Sequence, residues 1–108
     1  MKRGPGLGGG GTITGKAPNL FRLYITGASP NSSRAISNLK IFFEKYMKSK
    51  YELQIIDVYQ QPQIARSVDI IALPLLVRKT PLPERRLVGD MSNDEKIMKS
   101  LGIPNTGL

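Results

Sequence analysis

The chain has 108 residues, of which 40% are hydrophobic and 22% charged, which fits one small globular domain with a modest core. It has no cysteine and no histidine, so disulfides, a dithiol redox centre, a histidine-based catalytic triad and most zinc sites are excluded. No apolar run approaches the roughly 18 residues that span a bilayer, and glycines stand where a leader needs an apolar segment, which predicts a cytoplasmic protein without membrane association.

Residues 1–19, MKRGPGLGGGGTITGKAPN, hold seven of the eleven glycines and two prolines. Such a segment cannot offset its ordering entropy by burial and reads as a flexible basic tail ahead of a domain over 20–108. Gly10, Gly15 and Lys16 match the spacing of a phosphate-binding loop. That chemistry needs a preceding strand, a following helix and a Ser or Thr hydroxyl for the metal. Here GPGLGG precedes the match, position 17 is Ala and Pro18 follows, so the match is a chance one.

In LFRLYIT, 20–26, Phe21, Leu23 and Ile25 alternate with Arg22 and Tyr24, the period of a strand. Ser29 and Pro30 then supply an N-cap and a first helical residue. Ile36, Leu39, Phe43 and Met47 recur at helical spacing, which predicts a helix over 30–48. YELQIIDVY, 51–59, is a second strand, and the strand–helix–strand order predicts a parallel pair with a right-handed crossover. QQPQIARS reads as a loop or short helix, and VDIIALPLLV is apolar but carries Pro74, which fits a central strand badly. KTPLPE is a proline turn, RRLVGD a short strand and SNDEKIMKSLG a helix. For that last helix, Ser92 and Glu95 form a capping box and Gly102 a C-cap. Local signals conflict over 60–90, and such conflict marks functional elements.

Residues 19–50 carry six positive charges and one negative, while 51–108 balance at seven each. A basic chain attracts nucleic acid, anionic membrane or an acidic protein, but the basic half lacks the interleaved aromatics of a single-strand binder. SPNS, 29–32, occupies a strand-to-helix turn where thioredoxin-type proteins place C-P-x-C. Hydroxyls there keep the capping role and lose thiolate chemistry. Asp57, at the end of a strand and without a second carboxylate, reads as a turn cap. Arg78, Lys79, Arg85 and Arg86 gather around the proline turn, where Glu84 and Asp90 offset half of their charge, so the group reads as a solvated rim or as a contact for an acidic protein partner.

The blocks LYITGASPNSSRAISNL, YELQIIDVYQQPQIA, IIALPLLV and PLPERRLVGDMSNDEKI, in this order and spacing, resemble the KaiB family of the cyanobacterial clock system over about 20–101. The resemblance implies an α/β domain with a thioredoxin-like βαβ N-terminal half and a fold-switching C-terminal half, the KaiB fold. It implies a regulator without enzymatic activity or cofactor that binds a KaiC-type ring ATPase and modulates its phosphorylation, in a clock or in stress adaptation. Further implied partners are KaiA, a sensor kinase that competes for the ring, and copies of the chain in a resting dimer or tetramer. Arg34, Arg78, Arg85 and Arg86 match basic residues linked to surface contacts. Pro74, Pro81 and Pro83 match prolines of the switching region, which also takes in Gly89, Asp90, Ser100 and Gly102. The sequence departs from the family pattern at Leu82, where the family has a proline, and at Ser100 and Gly102, where it has the Gly and Asp of a Gly-Leu-Asp. The acidic tail typical of cyanobacterial members is missing, and a basic glycine-rich leader is added. From other classes, a nucleic-acid-binding module and a non-redox thioredoxin-like adaptor are the alternatives.

Overall fold

A computed structural model of the protein describes residues 19–70 and 72–103. Its elements are β1 (Leu20–Ile25), α1 (Pro30–Tyr46), β2 (Glu52–Asp57), α2 (Pro62–Arg66), β3 (Leu75–Thr80), β4 (Arg85–Val88) and α3 (Asp94–Leu101). Residues 1–18, and with them the glycine-rich segment and its phosphate-loop match, lie outside the described residues. Asn19, grouped with that segment by composition, is tied to the domain: its side chain donates to the Lys50 carbonyl and its own carbonyl accepts from the Glu52 amide.

The alternation in LFRLYI builds a central strand. Phe21, Leu23 and Ile25 enter one core, while Tyr24 on the opposite face enters another. The four strands lie in the order β2-β1-β3-β4. β1 and β2 are parallel, as the βαβ order predicts, and β1–β3 and β3–β4 are antiparallel. α1 and α3 cover one face, where Leu39, Phe42, Phe43, Ile97 and Leu101 pack on Phe21, Leu23, Leu76 and Leu87. The rings of Phe21 and Phe43 lie 4.6 Å apart at the centre of this layer, and Tyr51 stacks on Phe43 at 4.7 Å. α2 and its flanking chain cover the other face through Ile64, Val68 and Ile70 above Tyr24, Ile56, Leu75 and Val77.

β2 and β4 each end two residues earlier than read, at Asp57 and Val88, and three further differences have local causes. α1 ends at Tyr46 because Lys48 turns left-handed, at φ 45°, and donates back to the Phe43 carbonyl. The proline conflict in VDIIALPLLV resolves because β3 starts at Leu75, directly after Pro74, and continues through Lys79 and Thr80 into the turn. The capping box of Ser92 and Glu95 does not form. Asn93 is the N-cap, its side chain accepting from the Lys96 amide at 3.0 Å, and the Ser92 amide donates to the Asp90 carboxylate. Asn and Ser cap equally well, and from either start Asp94 and Glu95 lie in the first turn, where the helix dipole favours anions. Gly102 closes the same helix in the left-handed conformation, as predicted.

Candidate functional site

The end of β1 and the start of α1 are joined by hydroxyls. Ser29 Oγ accepts from the Ser32 amide at 3.1 Å and lies 2.8 Å from Ser32 Oγ, while Ser32 Oγ accepts from the Thr26 amide at 3.2 Å. Ser32 is buried, and both side chains are fully engaged in holding the turn. A cap of this kind stabilises a helix by about 0.5–2 kcal/mol. Asp57 does the same for the turn after β2, accepting from the Tyr59 amide at 2.9 Å.

The four arginines singled out in the sequence do not form one cluster. Arg34, exposed on α1, reaches Asp90 at 3.7 Å and donates to Asn31 at 2.7 Å. Asp90 also receives the side chain of Asn38 on its backbone carbonyl, so α1 grips the loop between β4 and α3 at two points. Arg86 lies on the face of α2 and donates to the Asp69 carbonyl. Arg85 lies on the opposite face, paired across the strands with Arg78.

Arg78 belongs inside. It alternates with Leu76 on the face of α3 and is only 7% exposed, so in this arrangement it is not a surface contact. Its Nη1 donates to the Leu101 carbonyl at 2.6 Å and its Nη2 to the Pro83 carbonyl at 2.8 Å. One guanidinium thus joins β3, the proline turn and the C-terminus of α3. Burial, and then the neighbouring Arg85, lower its pKa, while the negative end of the α3 dipole offsets the charge. Lys79, on the other face, pairs with Glu84 and through that hydrogen bond holds the Glu84 carboxyl below its ordinary range.

The residues assigned to the switching region sit at the joints of the C-terminal half. Pro74 precedes β3 and its carbonyl accepts from Gly89 at the end of β4. Pro81 and Pro83 form the β3–β4 turn, with Leu82 exposed between them. Gly89 and Gly102 take φ of 140° and 67°, a region open to glycine at little cost. Ser100 lies in the last turn of α3. Sequence reading missed Asn38, Asn93 and Lys96. Asn38 bonds a residue 52 positions away, for which no local pattern exists.

No group of three or more His, Cys, Asp or Glu able to hold a metal occurs among the described residues. No helix there is long and apolar enough to cross a membrane.

A sequence model of the KaiB domain matches residues 22–103. The chain belongs to the KaiB family. Among curated relatives, the circadian clock oscillator protein KaiB of Prochlorococcus marinus subsp. pastoris is 42% identical over 84 residues, covering 78% of each chain. The circadian clock protein KaiB3 of a Synechocystis strain is 42% identical over 89 residues, 82% of this chain and 87% of its own. Among solved structures, the N-terminal domain of SasA from Synechococcus elongatus matches with a TM-score of 0.62 at 23% identity, covering 94% of this chain and 97% of that one. Mitochondrial thioredoxin 3 of Saccharomyces cerevisiae matches at 0.65 with 16% identity, over 81% and 79%. At these identities the structures establish the fold, which is thioredoxin-like. This KaiB-family chain has the thioredoxin-like strand order in both halves, and hydroxyls at Ser29 and Ser32.

Proposed function

We propose that this KaiB-family chain is a non-enzymatic regulator that binds a ring-shaped ATPase of the KaiC type and modulates its phosphorylation state. The observation that carries the reading is the family match across 22–103 on a thioredoxin-like scaffold whose two thiol positions are capping serines. Such a scaffold has no thiolate with which to exchange disulfides, so what it offers a partner is surface. Arg34, Arg85 and Arg86 are exposed and serve as partner contacts, whereas Arg78 holds the C-terminal half in shape. The described arrangement is the binding-competent one. A resting homo-oligomer with a rearranged C-terminal half exchanges with it through the joints at Pro74, Pro81, Pro83, Gly89, Asp90, Ser100 and Gly102. KaiA and a competing sensor kinase are further partners on the same reading.

Size-exclusion chromatography of the chain with a KaiC-type ring ATPase and ATP tests this. Co-elution that builds over hours is expected, because only the competent fraction binds and the resting form must convert. No complex at any time would sink the proposal.

A further inference from the structure

We propose that the outer edge of β4, with the cavity beside it, is a docking strip for an extended acidic segment of a partner protein, which adds to the sheet as a fifth strand. This deepens the binding role proposed above and rests on it for the existence of a protein partner.

Three features of the strip converge. Among the described residues β4 ends the sheet with no neighbour beyond it. The Gly89 amide bonds back to Pro74, so by alternation the N–H and C=O groups of Arg86 and Val88 point outward, unpaired, as a template for another strand. Second, Val88 is 44% exposed, and beyond it the strip opens into a cavity of about 270 Å³. That cavity is bounded by Leu87, Asp90, Met91, Lys96 and Ile97, room for one large apolar side chain beside Lys96.

Third, the charge beside the strip is positive on both faces. Arg85 lies on the α3 face and Arg86 on the α2 face, and Lys96 stands at the far end. None of the three has a carboxylate partner among the described residues, while the nearby acids Asp90 and Glu84 are taken by Arg34 and Lys79. An added strand would therefore run between cations: carboxylates on one alternate set would meet Arg85 and Lys96 on the α3 face, while the apolar set would lie over Val88 and the stem of Arg86 on the other. Nucleic acid fits less well. Single-strand binding needs exposed aromatic platforms, and Tyr59, the exposed aromatic among the described residues, follows β2 at the opposite edge of the sheet.

The test uses a short synthetic peptide alternating Glu with Val and ending in Leu, titrated onto the full chain by fluorescence anisotropy. Two further peptides carry N-methyl groups on one or the other alternate set of amides. One methylated set is expected to lose binding about tenfold or more, and the other to bind like the parent. Equal effects of the two sets, or no saturable binding of the parent peptide, would overturn the strip. Val88→Pro removes an outward amide that β3 does not use and is expected to weaken binding as much; unaltered affinity in a folded Val88→Pro would also overturn it. So would displacement of the peptide by duplex DNA in the wild type together with unaltered binding of both methylated peptides. If the peptide fails while the ring ATPase still co-elutes, the inference falls and the proposed function stands. Peptide binding without ring binding supports the strip and sinks the proposed function alone.

Discussion

Replacing Arg78 with Met is expected to destabilise the chain by about 3 kcal/mol or more and to lower its melting temperature by more than about 10 °C. Met keeps most of the apolar stem, so the loss comes from the two carbonyls the guanidinium serves. Those of Leu101 and Pro83 would each lose a charge-assisted hydrogen bond, worth about 1.5–3 kcal/mol apiece. The burial of this arginine gives the sign, since an exposed arginine with the same sequence neighbours would cost little on removal. Thermal unfolding by circular dichroism reads the effect directly. A loss below about 1 kcal/mol would show that the C-terminus of α3 does not depend on Arg78.

Gly102→Ala is expected to cost about 2 kcal/mol by the same measurement. The residue sits at φ 67°, where a Cβ costs roughly 1–2 kcal/mol in any surroundings. The surroundings add to it, because that Cβ would lie 3.0 Å from Arg78 Nη1 and 3.2 Å from Arg85 Nε. Part of the penalty is therefore a collision with the side chain that the first substitution removes. The double variant should lose less than the sum of the two singles, since contacting residues are not additive. Strict additivity would mean that the Arg78 side chain contributes nothing to the cost of the added Cβ.

Both substitutions act on the half of the chain where sequence and structure parted. The βαβ half was legible because each signal in it is local: alternation in 20–25, a cap at Ser29 followed by Pro30, and helical spacing to Phe43. The second half is held by pairings between residues far apart, and these leave no periodic trace. Arg78 shows the difficulty most clearly. Adjacency grouped it with Lys79, Arg85 and Arg86 as one basic rim, yet in strands neighbouring residues face opposite ways. Arg78 and Arg85 thus turn toward α3, while Lys79 and Arg86 turn toward the layer of α2. Counting by two from Leu76 would have placed Arg78 beneath α3. The shift of the α3 cap from Ser92 to Asn93 has a different origin, since two residues of equal capping strength stand side by side. In the structure Asn93 takes the cap, while the Ser92 amide is held by the Asp90 carboxylate.

The regulatory role proposed for the chain is tested most directly by the phosphorylation state of a KaiC-type ring ATPase, followed over hours in ATP with and without a saturating amount of the chain. The expected result is a lower phosphorylated fraction in its presence, with a smaller effect for Arg34→Glu combined with Arg86→Glu. Superimposable time courses, from a ring shown to be active alone, would contradict it.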